Sequence, residues 1–185
     1  PEYKKLLLTF RLLDSTTRVD DIDDIYQKGM MLGNRSRDFF VPYMVELCSE
    51  LTNQQVEEIA IHFDGLMEER RLELDNERKS FQAALEKSFV RFFRLLGVRL
   101  NNEQKNTVRL LSSDLEDTRH ELIDARIKWN QQFLAILTLR KQKNFKQILT
   151  DHINSLSSED KNPRRVINRI TAEIIASLDE KQRAR

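Results

Sequence analysis

The chain has 185 residues, the length of one ordinary domain. Four Gly and three Pro leave too few turn formers for a sandwich, barrel or propeller, so an all-β architecture is excluded, while 56 Leu, Ile, Val and Phe residues supply enough apolar surface for a folded core. Lys plus Arg is 31 against 30 Asp plus Glu, with the signs interleaved, so no broad field exists to hold nucleic acid, and the lone Cys48 can form neither an internal disulfide nor a cysteine metal pair.

The first predicted helix runs from Pro1 to Leu13 and ends at Asp14-Ser15-Thr16-Thr17. Its apolar run, Lys5 to Leu13, is too short to span a bilayer, and the expectation is that any export signal or anchor lies upstream of residue 1. A second helix is expected from about Val19 to Asp38. Pro42 is expected to open a third at its first turn, through Leu47 and Cys48. Leu51-Thr52-Asn53-Gln54-Gln55 is a capping box with a staple: the Thr52 hydroxyl and the Gln55 amide can each satisfy the other's orphan N–H, while Leu51 and Val56 clasp across the turn.

From Thr52 to Leu96 there is no Pro and a single Gly, Gly65, which predicts one long helix over 52–96. A second is predicted over 101–144, where Val108, Leu115, Leu122, Trp129 and Ile136 recur every seven residues with Leu111 and Ala125 between. Between them Gly97 suits the left-handed position after a helix end, and Asn101 suits the cap of the next helix, so the two rods should form an antiparallel hairpin. Phe145–Leu156 and Pro163–Leu178 read as two more helices; the second carries Val166, Ile167, Ile170, Ile174 and Ile175 on one face that must dock on something. Leu100-Asn101-Asn102-Glu103-Gln104 repeats the box spacing, and Leu156-Ser157-Ser158-Glu159-Asp160 and Leu178-Asp179-Glu180-Lys181-Gln182 are looser copies. The expected architecture is a single all-α domain over 1–185: flanking helices over 1–50, a long hairpin over 51–144 and C-terminal helices over 145–185.

No constellation points to catalysis. His62, His120 and His152 are far apart, no Glu-x-x-His occurs, and phosphate loops, nucleophile elbows and paired cysteines are absent, so no catalytic residue, metal or cofactor is expected and the chain reads as a non-enzyme. Cys48, beside Val45 and Leu47, reads as buried packing. The charge run Glu68–Lys79 would face Arg119–Trp129 across the hairpin and leave its middle wet. Toward the turn, Phe81, Leu85, Phe89, Phe92, Phe93, Leu95, Leu96 and Val98 crowd together with Arg91, Arg94 and Arg99, an apolar end with a basic fringe. Either helices of the first 50 residues cover it, with Phe39, Phe40, Tyr43 and Met44, or it meets a partner or lipid. Trp129 is either core, with its N–H seeking an acceptor, or part of a groove with Arg126 and Phe133. Phe89, Phe92, Phe93, Arg94, Leu96 and Trp129 are the candidate protein-binding surface.

Several of these motifs occur in an order that resembles a known family. Pro1-Glu2-Tyr3-Lys4-Lys5-Leu6-Leu7, Leu51-Thr52-x-x-Gln55, Leu100-Asn101-x-x-Gln104, Arg126-x-x-Trp129-x-x-x-Phe133-x-x-x-Leu137-x-x-Arg140 and Asp179-x-x-Gln182-Arg183 together look like the uncharacterised proteobacterial helical lipoprotein family. The Leu-Thr-x-x-Gln motif more distantly resembles periplasmic chaperones of the Spy and CpxP type, helical cradles that hold unfolded clients. The resemblance implies export, a lipidated amino-terminal segment, a periplasmic location at an envelope membrane, and no assigned activity. The expected function is a non-enzymatic envelope lipoprotein domain that binds protein, chaperone-like or as an assembly adaptor, with envelope proteins or unfolded clients as partners. The alternative is a coiled-coil spacer that homodimerises through its heptad seam.

Overall fold

A computed structural model describes residues 2–76, 80–113, 115–155 and 161–183, with the backbone alone at Arg11 and 161–163. Among them every regular element is an α-helix: α1 (Glu2–Arg11), α2 (Val19–Glu50), α3 (Asn53–Asp75), α4 (Phe81–Leu95), α5 (Asn102–Leu111), α6 (Arg119–Thr138), α7 (Phe145–Asn154), α8 (Lys161–Ala176) and α9 (Glu180–Arg183). The fold is all-α. The expected box at Leu156–Asp160 and the end of the charge run at 77–79 lie outside the described residues.

Three expectations are corrected. The helix starting at Val19 does not stop near Asp38 but continues through Pro42 to Glu50. Pro42 stands on the solvent side, where water can serve the carbonyl its ring leaves unbonded, while Val41, Val45 and Cys48 hold both flanks in one core. The rod over 52–96 is interrupted: Asn76 ends α3, its amide side chain donating to the Leu72 carbonyl at 2.8 Å, and Ser80, with ψ of 155°, caps α4 by accepting from the Ala83 N–H at 3.3 Å. The rod over 101–144 is interrupted too. The Ser112 and Ser113 hydroxyls donate back to the Arg109 and Leu110 carbonyls, residues 115–118 are non-helical, and Asp117 accepts the Arg119 N–H at 3.2 Å to open α6. This helix ends at Thr138, short of Asn144. The break also destroys the heptad seam: Val108 is fully buried, but Leu122 is 63% exposed, and the inward residues of α6 are Asn130, Phe133 and Leu137.

The chain divides into two compact units, residues 1–34, 78–116 and 159–185 in one and residues 35–77 and 117–158 in the other. In the first unit α4 packs antiparallel to α5, tied by the Glu86–Arg109 ion pair, and α8 docks on them. The turn between them is a Schellman motif: Gly97 has φ of 86°, its N–H donates to the Arg94 carbonyl at 3.0 Å, and the Val98 N–H donates to Phe93 at 2.8 Å. Phe89, Phe93, Val108, Ile170, Ile174 and Ile175 are at the heart of this core, with Ile22 from α2. In the second unit α3 pairs with α6, and the partners run in opposite directions: Asp75 with His120, Arg71 with Asp124, Phe63 with Phe133, Asn53 with Arg140. Its core joins Val41, Val45 and Cys48 of α2 to Phe133 and Leu137 of α6 and to Phe145, Leu149 and Ile153 of α7.

The box motifs turn out to be joints. In the second unit Thr52 and Gln55 exchange bonds at 2.9 and 3.2 Å, and the Arg140 guanidinium donates to the Leu51 and Leu137 carbonyls at 2.7 and 2.9 Å. In the first unit Asn101 and Gln104 form one box and Asp179 and Gln182 another. The two glutamines, 78 residues apart, bond amide to amide at 3.0 Å in both directions. Arg183 then donates to the carbonyls of Leu13, Ile175 and Leu178. Gln104 is only 2% exposed, so the centre of this polar cluster is buried, with Gln182 and Arg183 half-buried and Asn101 and Asp179 at its exposed edge.

Candidate functional site

The first unit carries an open apolar groove of about 490 Å³. Leu6 and Phe10 of α1 form one wall. Ile22, Ile25, Tyr26 and Met30 of α2 form the next, Leu85, Phe89 and Phe92 of α4 face them, and Ile167, Asn168 and Thr171 of α8 close the floor. Each helix contributes residues at three- or four-residue spacing, the stripe an amphipathic helix turns to its neighbours. Gly29 lets α1 come close: a Cβ there would stand 3.3 Å from Leu6 Cδ2. Phe10 and Phe92 meet edge to face at 5.7 Å.

Three of the groove's polar side chains are already engaged. The Ser88 hydroxyl donates to the Ala84 carbonyl at 3.0 Å, Thr171 to Ile167 at 2.8 Å, and the Asn168 amide to Asp23 at 3.0 Å. Arg164 lies 5.1 Å over the Tyr26 ring and 3.6 Å from Asp23, fixing the rim. What the groove offers is therefore chiefly shape and apolar surface.

The candidate residues separate in this arrangement. Phe89 lines the groove from the core, 6% exposed, and Phe92 lines it from the rim, 37% exposed. Phe93 is buried and Leu96 half-buried; both line a smaller hollow of about 250 Å³ with Leu13 and Leu178. Arg94 is exposed in the last turn of α4. The apolar end is covered by Phe10, Leu13, Val19 and Ile22 and by α8; the proposed cover of Phe39, Phe40, Tyr43 and Met44 is corrected, because all four are exposed, between 46% and 64%.

Trp129 belongs to the second unit. It is half-buried, stacked at 4.6 Å on His152 and at 5.4 Å on Phe133, with the Arg126 guanidinium 4.8 Å from its ring. Its indole N–H finds the His152 carbonyl at 3.3 Å, and His152 Nε2 lies 3.1 Å from the Trp129 carbonyl, so Nε2 carries the proton and donates. The stack thus joins α6 to α7. Cys48 is buried, and burial pushes its thiol up, away from the reactive thiolate. Among the described residues no group of three or more His, Cys, Asp or Glu converges, and no helix is long and apolar enough to cross a membrane.

Sequence reasoning missed Leu6, Tyr26 and Met30 as groove residues, because their periodicity marks only that they face inward. The Gln104–Gln182 pair had a signal in the repeated box spacing, but nothing local says that two boxes meet. Compared with family models, curated proteins and solved structures, the chain finds no match.

Proposed function

We propose that this chain is a non-enzymatic, protein-binding domain of the bacterial envelope, chaperone-like or an assembly adaptor, and that the groove between α1, α2, α4 and α8 receives apolar side chains of its partner or unfolded client. One observation carries the reading: a wide, largely apolar groove lined by Phe10, Tyr26, Met30, Leu85 and Phe92, in which Ser88, Asn168 and Thr171 bond within the protein. The envelope location, with lipid anchoring at a membrane, rests on the motif order seen in the sequence. That order gains physical sense from the joints: Thr52, Gln55, Asn101, Gln104, Arg140, Asp179, Gln182 and Arg183 all hold helix ends.

The test is suppression of aggregation of a chemically unfolded client, with crosslinking in bacterial envelope extracts alongside. The wild type should slow aggregation, and Phe92→Glu and Met30→Glu, both at the rim, should lose most of that effect while keeping the helical circular dichroism of the parent. A wild type that neither slows aggregation nor crosslinks to any envelope protein would remove the proposal.

A further inference from the structure

The carboxyl half of α2 carries a second apolar surface that no part of the groove uses. Val41, Val45 and Cys48 point into the core of the second unit, and the opposite face of the same helix presents Phe39, Phe40, Tyr43 and Leu47, which are 62%, 57%, 64% and 67% exposed, with Met44 beside them at 46%. The three rings are already packed together, Phe39 on Phe40 edge to face at 5.2 Å and Phe39 on Tyr43 at 5.6 Å. The rings therefore lose little freedom on binding.

At roughly 150–250 Å² for a whole aromatic side chain, this stripe exposes on the order of 600 Å² of nearly continuous apolar surface, at the upper limit for a monomer. Two such stripes face to face would bury about 1,200 Å², the threshold of a standard specific interface. The charges along the stripe choose the direction. Arg35 stands at its amino-terminal end and Glu50 at its carboxyl end on the same flank at helical spacing, while Glu46 is paired with Lys146 of its own chain. An antiparallel pair brings Arg35 of each copy toward Glu50 of the other twice, whereas a parallel pair sets like charges side by side.

We propose that two copies of this chain associate through the Phe39–Leu47 stripe, α2 against α2, antiparallel about a two-fold axis near Tyr43. An isologous contact of this kind closes on itself and ends at a dimer. It differs from pairing through the heptad seam, which residues 115–118 interrupt.

Sedimentation equilibrium of the whole chain should give a dimer, and Tyr43→Glu should raise its dissociation constant by about 30-fold or more, the effect of losing a central interface anchor, without changing helix content. In a Cys48→Ser background, Tyr43→Cys should form an intermolecular disulfide on mild oxidation and Ser36→Cys should not, because an antiparallel pair places residue 36 opposite residue 50. A monomeric wild type, a dimer indifferent to Tyr43→Glu, or crosslinking at both cysteine positions overturns the proposal. So does a wild type that is monomeric in solution and sediments with phosphatidylcholine–phosphatidylglycerol vesicles in a Tyr43-dependent way, which would make the stripe a membrane contact.

Discussion

The two units use the same joint in different surroundings. In each, an arginine holds the carbonyl of the leucine that precedes a capping box, Arg183 on Leu178 in the first and Arg140 on Leu51 in the second. In the first unit the box glutamine is buried and bonded to a second box, whereas Gln55 of the second unit is exposed to water. One motif therefore carries very different energetic weight, because a hydrogen bond contributes little where water can replace it and much where its loss strands buried partners. The units also dispose of their surplus apolar surface differently. The first folds it into a concave groove; the second leaves it on the outward face of a single helix.

The largest expected effect comes from the first core. Phe93 is 1% exposed, and Phe93→Ala should cost about 3–5 kcal/mol in a denaturant titration. Since Trp129 belongs to the second unit, its fluorescence should report a later transition in this variant than far-ultraviolet circular dichroism does. Coincident transitions would show that the two cores unfold as one.

Next comes the joint itself. Gln104→Ala removes a 2%-exposed side chain together with its bonds to Asn101, Ser177 and Gln182 and should cost about 2–3 kcal/mol, against about 0.5 kcal/mol for Gln55→Ala, both read as shifts in urea midpoint. Equal costs would erase the contrast drawn between the two boxes. A gain is expected at Asn130, 5% exposed, whose Oδ1 has no hydrogen-bond partner among the described residues: Asn130→Leu should stabilise the protein by about 1 kcal/mol in thermal unfolding.

The smallest effect is electrostatic. The Arg119 side chain bonded to Asp117 holds that carboxyl below its ordinary value of 3.8. A carboxylate depressed in the folded state stabilises above its unfolded value, and that stabilisation fades as pH falls through the folded one. The small difference in urea midpoint between the wild type and Asp117→Asn, measured at neutral pH, should therefore close below pH 3.8 and shrink with added salt.

Much of this molecule was legible locally. The Thr52, Asn101 and Asp179 boxes, the left-handed Gly97 and the helical class all follow from contacts within a few residues, which sequence spacing displays directly. The helix end at Asn76, the helix start at Ser80 and the interruption after Ser112 were written in the same alphabet of Asn and Ser caps, but they were outweighed by a long run without Pro or Gly. Pro42 shows the reverse: a residue that usually starts or breaks a helix is carried through, because Val41, Val45 and Cys48 anchor both sides of it in one core. Of the candidate site, Phe89 and Phe92 were found by their apolar crowding, while Trp129 shared that signal and proved to stack within the other unit.

By itself, then, the amino-acid order determined the starts of α3, α5 and α9, the turn that reverses the chain and the helical class, since these depend on side chains one turn away from the backbone they satisfy. Tertiary packing alone decided that two cores form, that Gln104 meets Gln182, and which apolar faces remain open as groove or stripe. Those outcomes depend on residues brought together across as many as 170 positions of chain, and burial, which sets their energy, exists only once the helices have met.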